Sequence, residues 1–411
     1  MMSTSDKIEV FTEPIFDNSI ISLQEHTYKP YGSPTFKNSD EIRIPVHFQD
    51  IILDICDSYI YIEGTFKSKD VTKKCYLSNN ALAFLFDEIR YEMGGEQVAV
   101  VRKPGITTTL KTSVSLPSLQ EKCLMSCGWG LHANEQGIVD STSNTFSGKL
   151  PLKYLMGFAE DYTKGIFNVK QELILIVART FTNCYIGEVE ADISIDKIEW
   201  KIRHIIPDDR QKLKILSRIN KGGNNANIQM AYRKWDLYEL PALRQTSSDV
   251  WALRTSTSLE KPRYLIIGFQ NSTNCDNKEK DATKFTHADV SDIRLYLNST
   301  VFPYERWNLD FSKKLYAAAY YNYENFQGSY YGREYNDPMM SFAEYVNNPL
   351  FVIDCSHQPE AIKSSTVDVK LEFATRKSKF AKDIKVYALV IHDAFFSYNI
   401  LNGSVTNKSL Y

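Results

Sequence analysis

The sequence predicts an all-β protein made of two tandem eight-stranded jelly rolls, with a few short helices in the loops and the connector. Three observations carry this expectation. First, two fingerprints return at one offset. Ile60-Tyr61-Ile62-Glu63-Gly64 is echoed by Tyr264-Leu265-Ile266-Ile267-Gly268, and Asp87-Glu88-Ile89-Arg90 by Ser291-Asp292-Ile293-Arg294, each 204 positions later. A repeat at half the chain length, present twice rather than many times, implies two similar domains and not a solenoid. Second, aromatic residues make up 13% of the chain, with 25 Tyr and 22 Phe, and such side chains suit a pleated, half-buried surface better than a helix. Third, each half holds roughly seven to nine short strand patterns joined by long, uneven connections, the count of a jelly roll built from Greek-key connections.

Residues 1–40 are polar, carry Pro14, Pro30 and Pro34 and show no sustained period; they are expected to form an arm that orders only against a neighbour. The first roll is expected over 41–205. Ile42, Ile44, Val46 and Phe48 alternate with polar positions, the pattern of a strand with one buried face. Pro45 lacks a donor, which places that strand at a sheet edge or a bulge. Ile60, Ile62 and Phe66 share a face, as do Ile89, Tyr91 and Met93 before the Gly94-Gly95 turn. From Lys103 to Leu150 the chain reads as loop, with one short helix at Leu116 to Ser126. Glu172 to Val177 is a continuous apolar run, hence a buried strand. Val189 to Ile202 is apolar on odd positions to Ile195 and on even positions from Ile198. That change of phase requires a bulge or tight turn near Asp196-Lys197, because a slip of one residue swaps the faces of a strand.

A helical connector is expected over 206–235. Asp208 or Asp209 can cap its helix, Leu213, Leu216 and Ile219 lie on one side, and Gly222-Gly223 ends it. The second roll is expected over 236–401, with strands at 250–253, 264–269, 293–297 (before an Asn298-Ser299 turn), 350–353, 367–373 and 386–391, and a helix at 311–326. Residues 402–411 form a C-terminal tail. Phe-Ala-Glu occurs at 158–160 and 342–344 with an offset of 184, so the loops of the two copies are expected to differ by about twenty residues.

Charge restricts function. Lys plus Arg number 48 against 50 Asp plus Glu, whereas a protein that wraps nucleic acid needs a basic surplus. The start has no basic stretch followed by an apolar one, and the uncharged apolar run Ala81 to Phe86, like the others in the chain, is far short of a membrane span. The chain is expected to be soluble and made in a reducing compartment. Its seven cysteines (56, 75, 123, 127, 184, 275, 355) include no CxxC pair. Cys123 and Cys127 lack a nearby His or second pair, so free thiols and no metal site are expected. The Asn-x-Ser/Thr sites at Asn271, Asn298, Asn402 and Asn407 carry no weight without a secretory route.

No GxxxxGK[ST], GxSxG, HExxH or EF-hand spacing occurs. Asp354-Cys355-Ser356-His357 sets a thiol and an imidazole two apart, but no third group orients the base, so a strand end with a surface histidine is expected. His47 lies on the polar face of its strand. No catalytic, cofactor-binding or metal residue is assigned, and no cofactor. The run Arg376-Lys377-Ser378-Lys379 with Lys382 and Lys385 reads as a solvated turn, and Tyr316 to Tyr335 as buried interface anchors rather than a platform for bases.

Four stretches give the chain a family likeness: Asp40-Glu41-Ile42-Arg43-Ile44-Pro45; Leu82 to Glu92; Gly157-Phe158-Ala159-Glu160-Asp161-Tyr162 with Asn168 to Glu172; and Ser365 to Phe373. Over about residues 40–400 the sequence resembles the double jelly-roll major capsid proteins of tailless double-stranded DNA viruses, in particular insect-associated Polinton-like and adintovirus-like versions. The resemblance implies two upright rolls per chain, a homotrimer of pseudo-hexagonal outline that tiles an icosahedral shell, and loops forming short outward towers. It implies penton and minor capsid proteins as partners, at most weak contact with packaged DNA, and a place in the virion after a soluble stage in the host cell. It supplies no catalytic residue. Two other classes stay open on sequence grounds: a two-jelly-roll hydrolase of glycans or glycopeptides, and a lectin-like binding module. Only the capsid reading expects a trimer without ligand.

Overall fold

A computed structural model describes residues 19–32, 36–47, 51–70, 72–130, 137–140, 142–222, 227–253, 261–358 and 367–407. The first half contains β1 (Ile20–Tyr28), β2 (Glu41–Val46), β3 (Ile52–Ser68), β4 (Cys75–Leu77), β5 (Phe86–Met93), β6 (Glu96–Arg102), β7 (Thr145–Pro151), β8 (Ile166–Phe167), β9 (Gln171–Val177), β10 (Tyr185–Gly187) and β11 (Ala191–Pro207). The second contains β12 (Asn227–Leu240), β13 (Ser248–Leu253), β14 (Pro262–Asn271), β15 (Val290–Leu297), β16 (Thr300–Phe302), β17 (Phe351–Asp354), β18 (Val369–Thr375), β19 (Ile384–Asn399) and β20 (Val405–Asn407). Helices are α1 (Ala81–Phe84), α2 (Pro104–Ser115), α3 (Leu152–Leu155), α4 (Gly157–Asp161), α5 (Asp209–Gly222), α6 (Ala317–Tyr331) and α7 (Phe342–Tyr345).

Strand order shows what the repeat meant. The first half pairs β1-β11-β3-β7 in one sheet and β2-β9-β5-β6 in the other; the second pairs β12-β19-β14-β17 and β13-β18-β15-β16. With the short β4, β8, β10 and β20 set aside, both halves read 1-8-3-6 and 2-7-4-5. That is one jelly roll made twice. Gly64 lies on the third strand of its roll and Gly268 on the third of the other, while Ile89 and Ile293 lie on the fourth strands, opposite Leu175 and Phe373 of the seventh. At both glycines a neighbouring ring occupies the space of a side chain: an added Cβ would sit 2.7 Å from Phe146 at Gly64 and 2.7 Å from Phe285 at Gly268.

Local signals hold where the pattern is strict. Ile42, Ile44 and Val46 are buried on β2, an edge strand, which is where Pro45 has no ladder bond to lose. Gly94 and Gly95 turn β5 into β6 with positive φ. On β11 the register breaks between Ile195 and Lys197, so Ile195 and then Ile198, Trp200 and Ile202 all reach the core.

Elsewhere the structure corrects the sequence expectations. Residues 20–28, assigned to the arm, are the first strand of roll 1, paired along β11; residues 1–18 lie outside the described residues. The connector is shorter than 206–235, because β11 runs to Pro207 and β12 begins at Asn227. The second roll therefore starts before 236. Val405–Asn407, in the expected tail, pair with β19. The helix expected at Leu116 to Ser126 is a 3-10 stretch, Ser118–Cys127, and a fully buried helix, α2, precedes it. The helix expected at 311–326 is a 3-10 turn, Phe311–Lys313, followed by α6. The two Phe-Ala-Glu copies are not equivalent. The first lies in α4, after the sixth strand of its roll, and the second in α7, before it.

Because consecutive strands alternate in direction, the start of β1, α5 and β20 fall at one end of the molecule, and the β6–β7 and β16–β17 connections at the other. The rolls stand parallel. Gly187 N–H donates to Lys278 O (2.8 Å) and Asp276 N–H to Asn183 Oδ1 (2.7 Å) across one end. At the other, the Asn168 amide donates to Ile400 O. One continuous apolar core runs through both rolls.

Candidate functional site

The most chemically concentrated place in the molecule is the junction between the rolls, built around α2. Four threonines and two serines make α2 polar, yet every residue of it is buried. Its hydroxyls are satisfied locally: Thr108 donates to Pro104 O (2.6 Å) and Thr109 to Gly105 O (2.6 Å), each one turn back. Its C-terminal carbonyls, which have no partner within the helix, are met from the other half. Tyr323 O–H donates to Ser113 O (2.9 Å) and Gln327 Nε2 to Leu116 O (3.1 Å), both from α6.

Lys111 is the centre. Its side chain is 3% exposed. Its Nζ donates to Glu160 Oε1 (3.0 Å), Ser115 Oγ (2.8 Å) and the Tyr331 hydroxyl (3.1 Å), and lies 4.6 Å from the Trp235 ring centroid and 4.3 Å from that of Tyr330. Burial lowers the pKa of this ammonium, and Glu160 opposes the shift. Glu160 also accepts from Tyr330 (2.6 Å) and Tyr331 (2.5 Å). Beside it, Asp161 takes two guanidinium bonds from Arg233 (2.8 and 2.5 Å) and one from the Arg233 backbone (2.8 Å). The guanidinium lies 3.4 Å from the Tyr330 centroid. Two cations meet two carboxylates with their donors and acceptors largely engaged, the condition under which buried charge is tolerable. Gly157 permits the approach: a Cβ there would sit 1.6 Å from Arg233 O. A small recess open to solvent adjoins Lys111, lined by Leu116, Lys153 and Tyr154 among others.

The Gly157 to Tyr162 motif singled out in sequence is thus the clasp that holds roll 1 on β12. Of the Tyr-rich segment, expected as buried interface anchors, Tyr316, Tyr323, Phe326 and Tyr330 are buried, against α2, α7 and β14 of the same chain, whereas Tyr321 and Tyr335 are exposed. Arg376 donates to Leu309 O (2.7 Å) and Asn308 O (2.7 Å), and Lys377 pairs with Asp289, so these basic residues tie down neighbouring loops. Cys355 is buried with its thiol on Pro262 O (3.3 Å), while His357 is exposed past the strand end. His47 is exposed. Cys127 is buried, and the side chain of Cys123 lies outside the described residues. Among the described residues no group of three metal-ligating side chains converges, and no helix is long and apolar enough to cross a membrane.

Two jelly rolls of identical strand order, fused through a half-buried ionic clasp, define a double jelly-roll protein. The chain belongs to the double jelly roll-like domain family, which matches residues 75–396. Among solved structures it is similar to a chain of the Sputnik virophage (TM-score 0.64, 10% identity, covering 100% of this chain and 93% of that one). It is also similar to the Faustovirus major capsid protein (0.60, 7%, 96% and 94%) and the mavirus major capsid protein (0.56, 10%, 100% and 94%). At these identities the likeness is one of fold. No curated protein matches the sequence.

Proposed function

We propose that this chain is a major capsid protein, a structural subunit that forms pseudo-hexameric homotrimers tiling an icosahedral shell. The observation that carries the reading is the pairing of two rolls with the same strand order, standing parallel and clasped through Lys111, Glu160, Asp161 and Arg233. A rigid chain with two similar lobes gives six lobes when three copies close into a ring, and closed heterologous contacts are the geometry such a block needs. The fold shared with the mavirus and Faustovirus major capsid proteins supports it. In this reading the working surfaces face other copies, then penton and minor capsid proteins; packaged DNA is touched weakly. The protein is soluble in the host cell before it enters the virion. The expected fold division is roll 1, connector helix, roll 2, with no catalytic or cofactor site.

Mass photometry at sub-micromolar protein in physiological salt is expected to report three times the 47.2 kDa chain mass. A stable monomer that hydrolyses a glycan or glycopeptide, or binds one without turnover, overturns the capsid reading in favour of the hydrolase or the lectin-like module.

A further inference from the structure

The connector helix is almost bare. None of the described side chains of α5 is buried; Leu213 is 67% and Leu216 43% exposed, and Ile219 packs against the core. The adjoining end of β1 adds Ile20, Ile21 and Leu23, and β11 adds Ile206, all exposed. A helix of this length is marginal in water by itself, and apolar side chains left exposed along it and on the strand end it adjoins mark a surface that something covers. The helix is also basic: Arg210, Lys212, Lys214, Arg218 and Lys221 are all exposed, with Asp209 the acidic residue of its first turn.

We infer that this face is the docking site of the chain's own residues 1–18. Three observations point to that occupant. The segment is acidic, with Asp6, Glu9, Glu13 and Asp17 against Lys7, so its charge complements α5. It carries Ile8, Val10, Phe11, Ile15 and Phe16, apolar groups to set on Leu213, Leu216 and Ile21. It also starts from the right place: the Asp208 N–H donates to Ser19 O (3.0 Å), so the described chain begins at the foot of α5. The 14-residue helix spans about 21 Å at 1.5 Å per residue, well within the reach of eighteen residues at about 3.3 Å each. Tethering of this kind raises the effective concentration to the millimolar range, which favours this segment over an untethered occupant such as an anionic bilayer or a second copy. The inference concerns the free subunit and does not depend on shell assembly.

The test is hydrogen exchange of α5 amides in the full chain, in a variant lacking residues 2–18, and in charge reversals of each side. Deletion is expected to speed α5 exchange at least tenfold while β14 amides, the folding control, keep their rates. Reversing α5 (Lys212→Glu, Lys214→Glu, Arg218→Glu) or the segment (Glu9→Lys, Glu13→Lys, Asp17→Lys) is expected to do the same, and combining the two reversals to restore protection. Equal α5 exchange with and without residues 2–18 overturns the proposal. Protection that grows with protein concentration assigns the face to a second copy, and protection that appears only with phosphatidylglycerol vesicles assigns it to a membrane; either overturns it too.

Discussion

A methyl group at position 157 has nowhere to go, because Arg233 O occupies its place at 1.6 Å and both flanking elements are fixed by the Arg233–Asp161 bonds. Gly157→Ala is therefore expected to destabilise the protein by about 3 kcal/mol, the upper range for overpacking. Urea unfolding monitored by tryptophan fluorescence measures it, and a loss below about 0.5 kcal/mol, the scale of neutral surface changes, would mean that α4 and β12 do not touch. The motif around Gly157 was visible in sequence, but its task was not. Its partners lie 72 residues away at Arg233 and 170 away at Tyr330, and spacing along a chain carries no information about such contacts. Lys111 was invisible for a stronger reason. Nothing in Thr-Leu-Lys-Thr distinguishes a buried lysine from a solvated one until the aromatic wall of α6 is in place.

At the scale of elements, legibility followed how strictly a strand alternates. The β11 bulge could be placed between Ile195 and Lys197 because apolar residues change phase there, and β2 could be set at an edge by Pro45. β1 escaped because its apolar residues are exposed and Gln24, Glu25, His26 and Thr27 fill its middle. α2 escaped because serine and threonine favour other conformations in water, and burial alone reverses that preference. β1 also carries a pH dependence. Tyr28 O–H lies 2.6 Å from His204 Nε2 and the His26 ring stacks on His204 at 3.8 Å. Burial, then the neighbouring His26, lowers the His204 pKa from 6.5 to about 4. The unfolded chain thus takes up this proton more readily than the folded one, so the contribution is full above about pH 6.5 and is lost as pH falls towards about 4. Amide exchange in β1, corrected for intrinsic rates, is expected to be faster at pH 4.5 than at pH 7.5, and His204→Gln to flatten the difference. Equal protection at both pH values in the native chain would show that the histidine pair does not hold the strand.

For the whole molecule, the repeat made two rolls legible, but it could not say whether they act as one body. A shared core answers differently from two adjacent ones. The apolar cluster passes from Trp200 in roll 1 through α2 and Trp235 to Phe351 and Phe373 in roll 2 without a break, and separation would break the Arg233–Asp161 pair and strip Lys111 and Glu160 of the Tyr330 and Tyr331 hydroxyls. Opening the junction also strips the α2 carbonyls of the Tyr323 and Gln327 donors. Both rolls give up buried surface if they part, so unfolding is expected to be a single cooperative transition despite a length that ordinarily allows intermediates. Calorimetry in which the measured and van't Hoff enthalpies agree is the expected result, with Trp307 in roll 2 and Trp200 in roll 1 changing together in single-tryptophan variants. Two resolved transitions, with one tryptophan responding in each, would make the junction a contact between independent domains and remove the rigidity on which the proposed six-lobed trimer depends.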